Sequence, residues 1–290
     1  MPWYVVPKYM AEVLEEVEFL TRSPHRVDIL TALATGPRDR SKLKTETGAS
    51  ASTISRTLRA FEDRHWVERI DHRYQATELG SFVADTIRET LGRLETEQKL
   101  RSEWRCLPDD AISLEAVVDA TITCATVDDP YRPISRFATL LEETTTLRFV
   151  GFELGLVEPC IEDLCEQIID GMDAVIIDQP AVASYIRSTY PVLSRRTLES
   201  GNITVFLQEK LPQCGLSLFD HRAALCFYVP DTGTVRTLLD TDNPAVYQWV
   251  ESTYETIRDN AEPVTFEDGE LRPLEAAAGE VPTWSPPPPW

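Results

Sequence analysis

Apolar residues between positions 11 and 104 return every three or four places in four separate runs, the period of helices that bury one side and wet the other. Over 11–22 the run is Val13, Leu14, Val17 and Leu20. Ser23-Pro24 then supplies an N-cap with proline at the first helical position, and Val27, Ile29, Leu30 and Leu33 form a second apolar face before Gly36-Pro37 stops it. A short, polar helix over 38–48 closes at Gly48. Ser50 caps the next helix, whose Ile54, Leu58 and Phe61 fall at i, i+4 and i+7 on one side. Residues 66–70 and 74–77 are strand-like runs around the polar turn Asp71-His72-Arg73. From 77 to 104 a long helix carries Leu79, Val83, Ile87, Leu91 and Leu94 as one stripe, which either packs within its own domain or pairs with a second copy.

Leu107-Pro108-Asp109-Asp110 breaks the helical pattern and marks a boundary. Beyond it strand and helix alternate. Strands are predicted over 117–125, 147–152, 173–177, 203–207, 216–219 and 223–229, with helices over 131–143, 157–169, 181–190 and 244–259. Residues 261–290, rich in Pro and Glu and ending in four prolines and a tryptophan, are predicted to be a disordered tail. The expected fold is an α+β winged helix-turn-helix domain (11–78), a linking or dimerising helix (79–106), and an α/β effector or oligomerisation domain (107–260) with a mixed, largely parallel sheet.

Composition sharpens this picture. The 290 residues carry a net charge of −20, yet residues 21–75 hold 11 Lys and Arg against 7 Asp and Glu, a net +4 on an otherwise strongly acidic chain. A cationic module on an acidic body directs a polyanion to one face. Only five lysines occur beside 48 acidic residues, which reads as adaptation to high salt, where screening within a few ångströms makes dispersed negative charge tolerable. No stretch of the chain is long and apolar enough for a membrane span and the N-terminus does not read as a signal peptide, so a cytoplasmic location is expected.

The candidate chemistry lies on the helix after Ser50. Its side opposite Ile54, Leu58 and Phe61 holds hydroxyls and guanidinium groups that can meet base edges and phosphates in a major groove: Ser52, Thr53, Ser55, Arg56 and Arg59, with Ser50 at the start. Lys42 and Lys44 are placed to hold phosphate, and Arg69, His72 and Arg73 to touch the backbone or minor groove from the wing. The same charges on an isolated helix would be an ordinary solvated face.

The segments 23–30, 48–58 and 61–67 (Ser-Pro-His-Arg-Val-Asp-Ile-Leu, Gly-Ala-Ser-Ala-Ser-Thr-Ile-Ser-Arg-Thr-Leu and Phe-Glu-Asp-Arg-His-Trp-Val) together resemble archaeal, particularly haloarchaeal, winged-helix regulators related to the MarR, ArsR and TrmB types. That resemblance implies a homodimeric, sequence-specific regulator bound to double-stranded operator DNA. Residues 129–133, 215–220 and 243–250 resemble the effector domains of archaeal methanogenesis-regulator and TrmB-like proteins, which are distantly similar to phospholipase D halves. The catalytic H-x-K of those halves is missing here, since His221 is followed by Arg222 and Ala223.

Other signatures of catalysis or metal binding are also missing. The six cysteines form no C-x-x-C pair and do not cluster with the four histidines, so no metal site and no cofactor are expected. Cys160 and Cys165 read as small hydrophobes, a redox pair being the sharper alternative. Binding of a small-molecule effector is expected in place of catalysis, with a protein-interaction winged helix as the alternative to DNA reading.

Overall fold

The computed structural model describes residues 8–107, 111–151, 153–229, 232–267 and 270–273. The chain divides into two units, 1–95 and 96–290. The first contains α1 (Lys8–Thr21), α2 (Pro24–Ala34), α3 (Arg40–Thr47), α4 (Ala51–Asp63), β1 (Val67–Ile70), β2 (Arg73–Ala76) and most of α5 (Glu78–Leu100). Each start and stop has a local cause. Asp39 accepts from the Lys42 amide at 2.8 Å to open α3, and Gly48, at φ 67°, closes it in the left-handed region where glycine is unstrained. Ser50 opens α4 by accepting from the Thr53 amide at 3.2 Å.

Ile29, Leu30 and Leu33 of α2 meet Ile54, Leu58 and Phe61 of α4 in one core, in which all six are buried. Arg38 adds a feature beyond the sequence reading: its backbone pairs with Tyr74 (N to O 2.9 Å, O from N 2.8 Å), setting a bridge beside the β1–β2 hairpin. The turn between these strands places Asp71 at φ 54°, a conformation that short polar side chains tolerate.

Two expected stripes are displaced. Of the α1 stripe only Leu20 is buried, while Val13, Leu14 and Val17 face solvent. On α5 the inward face is Gly80, Ala84 and Ile87, with Val83 half-buried, and Leu79, Phe82 and Leu94 stand 61%, 72% and 58% exposed. Gly80 explains the offset, because a Cβ there would lie 1.9 Å from the Trp66 carbonyl oxygen; the helix approaches the wing at a residue without a side chain. The long helix also ends before 104, giving way to a 3-10 turn at Glu103–Cys106.

The second unit is built on β3 (Thr121–Cys124), α6 (Arg132–Glu142), β4 (Thr146–Gly151), α7 (Ile161–Ile169), β5 (Asp173–Asp178), α8 (Pro180–Thr189), α9 (Pro191–Glu199), β6 (Ile203–Leu207), β7 (Cys214–Leu218), β8 (Ala223–Tyr228), β9 (Val235–Thr241), α10 (Pro244–Asp259), β10 (Glu262–Glu267) and β11 (Glu270–Pro273). Nine strands form one mixed sheet in the order β11-β10-β6-β5-β4-β7-β8-β9-β3. Its parallel part is the centre, β6-β5-β4, and is narrower than the largely parallel sheet expected; every other pairing is antiparallel. Parallel neighbours need long crossovers, and only α7 and the α8–α9 pair provide them here.

Strand alternation splits the interior into two cores. Phe149, Ala174, Ala224 and Cys226 face α6 and α7, whereas Val150, Ile177, Leu225 and Phe227 face α10. Asp240 of β9 is fully buried and held by two arginines, with Arg136 Nε and Nη2 at 3.0 and 2.7 Å and Arg222 Nε and Nη2 at 3.0 and 2.7 Å.

Three local expectations change. The predicted strand over 117–125 is a 3-10 turn, Leu114–Val117, followed by the shorter β3. The helix expected over 181–190 is followed by a second one, α9, which no sequence signal singled out and which Pro191 opens at its first turn, where a missing amide costs nothing. The predicted disordered tail is ordered over β10 and β11: Val264 pairs with Val205 on the edge of β6, and the two final strands pair with each other. The rest of that tail, 274–290, lies outside the described residues.

Candidate nucleic-acid interface

The first unit presents α4 with a buried and an open side. With Ile54, Leu58 and Phe61 inside, helical geometry leaves Ser52, Ser55, Arg56 and Arg59 within an arc of roughly 100° on the opposite side, and all four are exposed. Arg56 and Arg59 make no hydrogen bond or ion pair among the described residues. Their charge is therefore uncompensated. Burial, and after it the positive charges of Arg56, Arg22 and Arg64, lower the pKa of Arg26, so Arg56 stands close to other guanidinium groups. That is a positive field around one end of the helix.

The other expected contact residues divide by what already holds them. Ser50 is occupied as the cap, and its oxygen also lies 3.0 Å from Ser52 Oγ and 2.9 Å from Thr53 Oγ1. Thr53 is half-buried and turned toward that cap. Lys42 is exposed but lies 3.8 Å from Glu46, a solvated pair that holds it only weakly. Lys44 is exposed and has no such partner among the described residues. In the wing, Arg69 donates to the Asp71 carbonyl oxygen at 2.9 Å, while His72 and Arg73 are exposed and unpaired among the described residues. Arg40, which no sequence signal singled out, donates to the Tyr74 hydroxyl at 2.9 Å and lies 5.6 Å from its ring, tying the start of α3 to the wing. Only the hairpin register made that pairing visible.

Residues 14–99 match the family described as the HVO_A0261 N-terminal domain, and residues 130–260 match that described as the middle domain of methanogenesis regulatory protein FilR1. Each match spans less than half of the chain. Among solved structures it is similar to the archaeal chromatin protein TrmBL2, at 13% identity over 88% of this chain and 98% of that one with a TM-score of 0.40. A MarR/EmrR family regulator from Acinetobacter sp. ADP1 gives 14% identity, 35% and 82% coverage and a TM-score of 0.24. The methyltransferase RosA from Streptomyces davawensis gives 17%, 73% and 68%, and 0.23. No curated protein matches the chain.

In the second unit the buried cysteines are packing residues. Burial pushes the thiols of Cys160 and Cys214 up to about 12 and raises Cys165 and Cys226 as well, the opposite of what a reactive thiolate needs. No described helix is long and apolar enough to cross a membrane, and no group of three His, Cys, Asp or Glu among the described residues is arranged to hold a metal ion.

Proposed function

We propose that this protein is a sequence-specific transcriptional regulator whose α4 reads the major groove of double-stranded DNA. The observation that carries the reading is the pair Arg56 and Arg59, exposed and unpaired beside Ser52 and Ser55 on a capped helix, in a net cationic stretch of a chain with net charge −20. Buried guanidinium partners would have spent that charge internally; here it is left for phosphate and base edges. Lys44 and, from the wing, His72 and Arg73 add backbone contacts, with Lys42 and Arg69 able to exchange their weak internal partners for phosphate. The name of the FilR1 family supports regulation.

The regulator acts as a homodimer. Val13, Leu14 and Val17 on α1 and Leu79, Phe82 and Leu94 on α5 are apolar and exposed in the single chain, a pattern that a second copy removes from water. Two recognition helices then meet two half-sites about one helical turn apart. The second unit supplies a ligand signal that shifts the population of dimer geometries.

Chromosomal occupancy of the tagged chain identifies its sites, and the enriched fragment then serves for titration. Arg56→Ala is expected to weaken binding by about 1–3 kcal/mol, with sedimentation giving the mass of a dimer for parent and variant alike. Unchanged affinity in Arg56→Ala, or loss of a protein partner instead of DNA on reversing Arg56 and Arg59 to Glu, assigns this face to protein contact and overturns the proposal.

A further inference from the structure

The second unit holds a pocket where the parallel strands β5 and β6 meet α7, α8 and α9. Its cavity volume is about 100 Å³, room for a small hydrocarbon rather than for a drug-sized molecule. Hydrocarbon makes its walls, chiefly Ile176 and Val205 from the strands, Leu164 and Ile168 from α7 and Ile186 from α8. Such a wall favours an apolar body.

Two polar groups interrupt it without partners. Asp178, the last residue of β5, is 7% exposed, and its carboxyl makes no hydrogen bond or ion pair among the described residues. Gly151, paired with it across β4, leaves the room: a Cβ at that position would stand 3.2 Å from Asp178 Oδ1 and 2.3 Å from the Phe149 ring. The Ser194 hydroxyl on α9 is also buried and unbonded. Burial alone accounts for the raised pKa of Asp178, about 7, so nothing in the chain stabilises its anion. Acceptors without partners among apolar walls are costly, and a ligand donor removes the cost.

The remaining polar lining residues are Thr197, whose hydroxyl donates to the Leu193 carbonyl oxygen at 2.9 Å, and Glu153 and Arg187, both partly exposed. A carboxylate ligand would find Arg187 but would drive either its own charge or a bare hydrocarbon end against Asp178. A donor head group avoids both. We propose that this pocket binds a small amine with a hydrocarbon body, the ammonium seated on Asp178 and Ser194 and the body against α7, α8 and α9. The inference rests on the effector reading given above and names the chemistry of that effector.

Hexylamine, 1-hexanol and hexanoate serve as matched probes on the full chain, followed by thermal shift and calorimetric titration at constant salt. The amine is expected to raise the unfolding midpoint most and hexanoate least. Asp178→Asn should weaken the amine by about tenfold or more while leaving the alcohol nearly unchanged, and Ile186→Trp, which fills the chamber, should abolish both. Equal or tighter binding of hexanoate, no binding of any probe at millimolar concentration, or an amine affinity indifferent to Asp178→Asn overturns the proposal. Binding is read without DNA: if the amine binds as expected and operator affinity does not move, the pocket stands and the signalling reading falls.

Discussion

Replacing Asp178 by Asn turns a pH-dependent protein domain into one that is less so, and the size of the change follows from the burial of one carboxyl. Its pKa rises from an ordinary 3.8 to about 7 because the strand end is enclosed by apolar side chains and offers it no donor. The charged groups nearest by lining are Glu153 and Arg187, and Tyr228 on the same face of the sheet is also shifted upward, mainly by its own burial and in small part by Asp178. A raised carboxyl favours the folded state fully below pH 3.8, where both states hold the proton. As pH rises the unfolded chain ionises first, and the advantage is lost up to the folded value near 7. Between pH 5 and 8 about two pH units of that gap are crossed, each worth ~1.4 kcal/mol, so roughly 3 kcal/mol of stability is lost by the parent and not by the variant.

Urea unfolding of both proteins across that range, at one salt concentration, measures the difference directly and cancels the titration of the other acidic residues. The stability of Asp178→Asn relative to the parent should climb from pH 5 to pH 8. A difference flat with pH would mean that Asp178 titrates normally in the folded chain, and the reasoning from its isolation would be wrong.

Two further substitutions probe the frame. Gly80→Ala forces a methyl group into the Trp66 carbonyl oxygen and should destabilise the first unit by about 1–3 kcal/mol, read as an earlier melting transition with the sheet's transition unmoved. Asp240→Asn leaves Arg136 and Arg222 without their shared counter-charge beneath α6 and should cost about 3 kcal/mol, somewhat eased because both arginines retain partial access to water. An unfolding midpoint within a degree of the parent's would contradict either account.

Helix α4 was legible because its signals are local. Ser50, Gly48 and the Ile54–Leu58–Phe61 stripe each act within one turn, and the structure uses them as capping and helical periodicity require. Where the sequence misled, the cause was at longer range. On α5 the leucines advertise one face, but backbone approach at Gly80 selects another, and no period reports how near a distant carbonyl lies. In β10, Val264 and Phe266 sit among glutamates and a proline, so acidic composition concealed a strand that exists because β6 offers it an open edge. Strand β9, with an arginine and an aspartate among its leucines, was missed for a related reason: Asp240 is tolerable inside only because Arg136 and Arg222 arrive from residues far away in the chain. The pocket gave no sequence signal, since Asp178 is one acidic residue among 48 until its surroundings are known.

The late placement of β10 and β11 has a bearing on how the protein is made. A ribosome adding roughly 5–20 residues per second completes the winged-helix unit long before residue 273 emerges, whereas one flank of the nine-stranded sheet stays bare until then. During that interval β6 exposes a row of unpaired amides and carbonyls, the kind of border along which nascent polypeptides adhere to one another. Translation speed over the codons for β10 and β11, and the chaperones on hand, thus govern the yield of the folded sheet more than that of the module ahead of it.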